Sequence, residues 1–249
     1  MEGKKKSPVR SNLRFLNNAT IGSTNTESHA KNNYDMRRLN AFEYYDSPIE
    51  SYERDFAEVL KPYKNFSEYI KGNYGEKKGD LIGIELGGPG VNLFDGFEWD
   101  TFSKTAGFTL KKLPEYKVDL NHEVIEADVF SRNQKSERSW TQVIDWVRKN
   151  GRPDFIVERM VGPLFEIREA KLFLLILDRW YRILSDGGSM FIEVPKKLNG
   201  VNFVELGKFI DKVKAKNPKL VLKYAIGQES GALVILLKKP KSNLKDFSL

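Results

Sequence analysis

The sequence of 249 residues contains no cysteine, which excludes disulfides, thiolate nucleophiles and zinc sites built on sulfur. Two histidines, His29 and His122, are too few for a histidine metal centre. Chemistry therefore falls to carboxylates, lysine, arginine, hydroxyls or a bound cofactor, and no metal is expected. No run reaches the roughly 18 apolar residues that span a bilayer, and the lysine-rich start leads into polar sequence rather than the apolar core of a signal peptide. These absences predict a cytoplasmic protein with no membrane partner. What is present suffices for a core: 40% of residues are hydrophobic and 12% aromatic, and the length suits one α/β domain with an appendage. The formal net charge of +7 favours polyanions. Much of it lies in Lys4-Lys5-Lys6 and near Lys238-Lys239, so nucleic-acid contact through the basic termini is one expectation and simple solvation of the ends is the other.

Residues 1–33 are rich in Asn, Ser, Thr and Lys with few large apolar residues, a composition that does not repay the entropy of ordering. This stretch reads as a disordered or partner-dependent arm. A helical lead-in follows over residues 34–78. Ser47-Pro48-Ile49-Glu50 offers an N-cap serine, a proline at the first helical position and a glutamate for a capping box, which predicts a helix towards Leu60. A second short helix around Phe66, Tyr69 and Ile70 is expected to stop at Gly72.

From residue 79 to 240, strand-like runs alternate with helical patterns, as in a parallel sheet covered by helices. The expected strands are Leu81–Leu86, Gly107–Leu110, Glu123–Val129, Asp154–Glu158 and Met190–Val194. A closing pair, Leu220–Ala225 and Leu233–Leu237, is joined without a helix across Gly227 and Gly231. Leu93, Phe94 and Phe97 share one helical face after the first strand. Ser139 and Gln142 predict a capped helix with Trp140, Val143, Ile144 and Val147 in one stripe, ended by Gly151 and Pro153. The run from Ile167 to Leu184 is apolar on most faces, as for a helix packed on a sheet, and Asp186-Gly187-Gly188 turns the chain into the fifth strand. Phe203, Leu206, Phe209, Ile210 and Val213 mark another helix, and residues 241–249 form a tail. The fold class is α/β: a Rossmann-like three-layer sandwich with a mostly parallel seven-stranded sheet, an antiparallel last strand and the helical lead-in.

This order resembles the class I S-adenosylmethionine-dependent methyltransferases over roughly Asp80 to Lys239. The family places an acidic residue and a glycine-rich turn after the first strand, matched here by Glu85-Leu86-Gly87-Gly88-Pro89-Gly90. Glycine lets backbone approach a cofactor closely, and amides at the following helix start can face its carboxylate. Glu126-Ala127-Asp128-Val129 is similar to the family's acidic strand end beside the adenine ring, and Asp186-Gly187-Gly188 to its turn before the fifth strand. The resemblance implies S-adenosylmethionine as cofactor, contacted by Glu85, Leu86, Gly87, Gly88, Pro89, Gly90, Leu110, Asp128, Val129 and Glu158. It implies transfer of a methyl group to an acceptor the sequence does not identify.

The chain also departs from the family. The glycine motif is one residue shorter between Gly87 and Gly88, and Lys111-Lys112 follow Leu110 where an acid normally grips the ribose. An ammonium is a donor only, so neither lysine replaces that acid. Glu158 and Arg159 are the candidate catalytic residues, the first as a base or orienting group and the second as an anion binder, with an ion pair as the plain alternative. The segment Glu158-Arg159-Met160-Val161-Gly162-Pro163-Leu164 lacks the Asn-Pro-Pro-aromatic motif of enzymes that methylate exocyclic amines. Glu193 stands where ribose methylation wants a lysine. These departures keep open a second reading, a catalytically degenerate member of the fold that binds RNA or a protein. Tyr44 and Tyr45 near Arg37 and Arg38 fit either base stacking or packing of the lead-in. His122 has no second histidine or cysteine beside it and reads as structural.

Overall fold

The computed structural model describes residues 46–109, 121–129, 140–158, 170–194, 203–216, 219–228 and 230–241. Two helices open this part of the chain, α1 (Ile49–Leu60) and α2 (Phe66–Tyr74). The strands are β1 (Leu81–Leu86), β2 (Phe102–Thr109), β3 (His122–Glu126), β4 (Phe155–Glu158), β5 (Ser189–Val194), β6 (Val221–Ile226) and β7 (Leu233–Lys238). Helix α3 (Val91–Asp95) follows β1, α4 (Thr141–Asn150) precedes β4, α5 (Ala170–Ile183) precedes β5, and α6 (Phe203–Lys216) precedes β6.

The strands form one seven-stranded sheet in the order β3-β2-β1-β4-β5-β7-β6. Strands β1 to β5 are mutually parallel, and β7 runs antiparallel to both β5 and β6. With no helix between β6 and β7, the pair closes as a hairpin, which only antiparallel strands allow. Gly231 takes a positive φ of 64° in that hairpin, and the buried Asp55 of α1 accepts the Ser230 N–H at 2.8 Å.

Both sheet faces are covered, so the central strands are apolar on both sides rather than alternating. One face carries Ile84, Leu86, Ile156, Met190 and Ile192 beneath Val143 and Trp146 of α4, Trp180 of α5 and Ile210 of α6. The other carries Leu81, Phe102, Phe155, Val157 and Phe191 beneath α1, α2 and α3. There Phe66 meets Phe155 and Phe191 edge-on at centroid distances of 5.3 and 4.9 Å, an aromatic geometry favoured over face-to-face stacking. The three-layer α/β sandwich with an antiparallel last strand is therefore the observed fold.

Several boundaries differ from the sequence reading. Helix α1 starts one residue late. Pro48 itself caps it in an extended conformation without a side-chain bond, and its carbonyl accepts the Ser51 N–H at 3.0 Å. Helix α2 continues past Gly72 because Tyr74 is anchored beneath it. Gly72 serves packing instead, since a Cβ there would run into the Tyr63 ring. Strand β2 begins at Phe102 rather than Gly107: the half-buried Ser103 and Lys104 disguise its first half, yet Phe102 already pairs with Leu81. Strand β3 stops at Glu126, and Ala127 stays tied to β2 through an N–H bond to the Thr109 carbonyl at 2.7 Å. Phe97 lies beyond the end of α3. In α4 the deeply buried partner of Val143 is Trp146, whose Nε1 donates to Glu123 at 3.2 Å. Ser139 lies outside the described residues.

Candidate cofactor site

Strand order reverses between β1 and β4, where the chain leaves β1 for β2 and β3 and then crosses back. Open α/β sheets bind ligands in the crevice at such a switch point, at the carboxyl ends of the strands. The glycine turn stands at that position. Gly87 leaves β1 with φ of 96°, and Gly90 enters α3 with φ of 71°. A side chain rarely adopts either value, so the turn requires glycine at both places.

Glu85, 1% exposed, is the penultimate residue of β1. Its carboxylate accepts a hydrogen bond from the Tyr52 hydroxyl of α1 and lies against Gly88, where a Cβ would collide with it. The rest of the turn folds back along the sheet. Gly87 N–H donates to the Phe108 carbonyl at 2.8 Å. The Pro89 carbonyl rests on Gly107 of β2, the register partner of Glu85, and a Cβ on Gly107 would lie far inside the 3.0 Å that real Cβ atoms keep.

His122, the first residue of β3, fixes that carbonyl. Its Nε2 is 2.9 Å from the Pro89 oxygen and its Nδ1 is 2.8 Å from Thr105 Oγ1. A carbonyl only accepts, so Nε2 carries a proton and donates to Pro89, while Nδ1 pairs with the Thr105 hydroxyl, which also lies 3.3 Å from the Asn121 carbonyl. The histidine thus ties the glycine turn to β2 through Thr105.

The lead-in touches the same turn. Asp46 Oδ1 accepts the Asn92 N–H at 3.0 Å, and its carbonyl accepts from Asn92 Nδ2 at 2.8 Å. Burial raises the Asp46 carboxyl above the usual carboxylate range, the Asn92 amide opposes this, and Asp95 adds to it. One amide of the first turn of α3, expected from sequence to face a ligand carboxylate, is therefore engaged by this chain's own carboxylate.

Asp128 and Val129 lie just past the end of β3, the first half-buried and the second buried. Glu158 ends β4 and is fully buried. Because Val157, not Glu158, is the register partner of Glu85, these two carboxylates leave their strands towards opposite faces of the sheet. Leu110 and Arg159 lie outside the described residues. The structure therefore gathers Glu85, Leu86 and Gly87 to Gly90 with Tyr52, Gly107 and His122, sets Asp128 and Val129 at the tip of β3, and leaves Glu158 beneath the other layer. Tyr52 and Asp46 carried no motif in the sequence. Their roles come from long-range contacts to residues 33 and 46 positions away.

Chemically the described residues here offer two carboxylates, the buried Glu85 and the half-buried Asp128, and an ionised carboxylate only accepts hydrogen bonds. Among the described residues no group of three or more His, Asp or Glu side chains stands close enough to hold a metal, and no helix is long and apolar enough to cross a membrane.

No family model matches the sequence, and no curated protein matches it. Solved structures do. The MycE methyltransferase from the mycinamycin biosynthetic pathway, in complex with Mg and SAH, is 12% identical with a TM-score of 0.45. The match covers 80% of this chain and 56% of MycE, so this chain spans little more than half of that protein. The N-methyltransferase NodS from Bradyrhizobium japonicum is 13% identical with a TM-score of 0.41, over 78% of this chain and 98% of its own. The fold rests on the sheet itself: ordered β3-β2-β1-β4-β5-β7-β6 with β7 antiparallel, it is the Rossmann-like, mostly parallel seven-stranded sheet expected from the sequence.

Proposed function

We propose that this protein is an S-adenosylmethionine-dependent methyltransferase. The observation that carries the reading is the placement of the glycine turn and the buried Glu85 at the switch point of the sheet, with Asp128 at the tip of β3. In this reading Gly87, Gly88, Pro89 and Gly90 present backbone to the cofactor, and Glu85 lies on the side of its positively charged end. Asp128 accepts from the adenine amino group while Leu86, Leu110 and Val129 enclose the ring. Arg159, just past β4, is the proposed acceptor-side residue, and the buried Glu158 beside it acts only by holding the end of that strand. When bound, the cofactor supplies an electrophilic methyl group on a sulfonium. The protein's part is to hold an acceptor lone pair in line with it and to exclude water, and proximity of this kind supplies much of the acceleration in such transfers.

A second reading has its own support. The Asp46 carboxylate on Asn92 and the lock of Pro89 between Gly107 and His122 describe a turn satisfied by protein atoms. A degenerate methyltransferase fold that binds RNA or a protein without catalysis accounts for that arrangement. Calorimetric titration of the full chain with S-adenosylmethionine and S-adenosylhomocysteine separates the two. Saturable binding of both, weakened by Asp128→Ala, is the expected result, and no heat at millimolar ligand overturns the enzyme reading.

A further inference from the structure

Strand β6 is an edge of the sheet and, among the described residues, pairs with β7 alone. Four large apolar side chains are exposed among the described residues, and three of them, Val221, Tyr224 and Ile226, belong to this one strand. Natural edge strands are blunted by proline, bulges or outward charges. None of these guards β6. It has no proline, its register with β7 runs unshifted from Val221 to Ile226, and its single lysine, Lys223, is turned back to the Val59 and Lys61 carbonyls at the end of α1.

Lysine is the commoner charge around the edge, with Asp211 and Glu58 as acids beside it. Lys208, Lys212 and Lys214 are exposed on α6 and Lys219 is exposed just before the strand. The Asp211 carboxylate of α6 accepts a hydrogen bond from the Tyr224 hydroxyl. Gly207 lets α6 lie close to Tyr224, 3.6 Å from the ring for a Cβ built there, so the helix that carries these lysines packs directly beside the strand.

We propose that the β6 edge receives an extended acidic segment of another protein, which adds a strand beside β6. The free main-chain groups of an edge ask for donors and acceptors at strand spacing, which a polypeptide supplies and a nucleic acid does not. The exposed Tyr224 and Ile226 lie on one face of the strand and Val221 on the other, giving apolar contacts for alternate side chains of an added strand, and the nearby lysines select glutamate or aspartate between them. A second copy pairing β6 with β6 brings two lysine borders together. The chain's own residues 1–45 carry eight Lys and Arg against four Asp and Glu before Asp46, the wrong sign for this surface. The proposal is independent of cofactor binding, since the edge lies at the far end of the sheet from the switch point.

Fluorescence anisotropy with the full chain tests it, using as probe a short labelled peptide that alternates glutamate with valine and threonine. Controls are its lysine-for-glutamate counterpart and a version N-methylated at alternate residues. Saturable binding of the first, at least roughly tenfold weaker for both controls and for the variants Ile226→Glu and Lys208→Glu/Lys212→Glu, is expected from the penalty of like-charge contact. Thermal melts confirm that these surface variants stay folded. Equal binding of the N-methylated peptide, or no binding to the wild type, overturns the proposal. So does a dimer in sedimentation that Ile226→Glu splits, or binding that appears only when residues 242–249 are deleted, because then a second copy or the chain's own tail is the occupant.

Discussion

Gly107 acts through the side chain it lacks. Its open face receives the Pro89 carbonyl, so Gly107→Ala forces the turn off the sheet. Overpacking of this kind costs about 1–3 kcal/mol, and urea unfolding should show a loss of that size together with weaker S-adenosylmethionine binding. Gly75→Ala is the matched control, since nothing lies within 4 Å of a Cβ there and its backbone is helical. That variant should be neutral or slightly stabilising. Replacing His122 by phenylalanine keeps a ring in place but strands the buried Pro89 carbonyl, with an expected cost of about 1–3 kcal/mol. At this scale the sequence shows the residue types and hides their partners. Glu85 and the glycines stand out as a local motif, whereas Tyr52, Thr105 and His122 join the turn only once β-strand register brings distant segments together.

Helix α2 is bound to the sheet by a chain of hydroxyls. Tyr69 lies 2.7 Å and Tyr74 2.6 Å from Ser189 Oγ, and Tyr74 donates to the Asp154 carbonyl at 3.1 Å. Every group is satisfied when Tyr69 donates to Ser189 and Ser189 donates to Tyr74. Burial pushes the Tyr69 phenol up from 10.0 to about 12, and burial, reinforced by Tyr69, pushes Tyr74 up further. A raised folded-state value means that the neutral phenol is favoured in the fold. This stabilisation is complete below pH 10 and is lost as pH rises through the folded-state values. The slope is about 1.4 kcal/mol per pH unit for each tyrosine. Denaturation series across the alkaline range should show that fall, and Tyr69→Phe should flatten it. A pH-independent stability above pH 10 would count against this packing. Elements with strong period or turn chemistry, such as β1, α1 and the Gly187 turn, were legible because local pattern and burial agree. The start of β2 was not, because Ser103 and Lys104 owe their strand conformation to pairing with β1.

For the whole molecule, a ligand that binds only the folded state raises stability by mass action, about 2.7 kcal/mol at 100 times Kd. S-adenosylmethionine should therefore raise the melting temperature in proportion to the logarithm of its concentration, and Asp128→Ala should lower that gain relative to the same variant without ligand. An unchanged melting temperature with saturating ligand would remove the cofactor from the proposed function. The overall architecture was readable because alternation of strands and helices is a long-range pattern in the sequence itself. The departure at the site was only half readable. A missing residue in the glycine motif is visible, but the capture of Asn92 by Asp46 depends on where α1 docks.

Placing β7 between β5 and β6 also sets an order of events during synthesis. As the chain leaves the ribosome, residues 221–226 emerge before the strand they pair with, and the outer edge of β5 is equally open. Both wait for residues 233–238. At roughly 5–20 residues per second the wait of β6 lasts about one to three seconds, and a translational pause within it would leave two apolar strand edges available at once to neighbouring nascent chains.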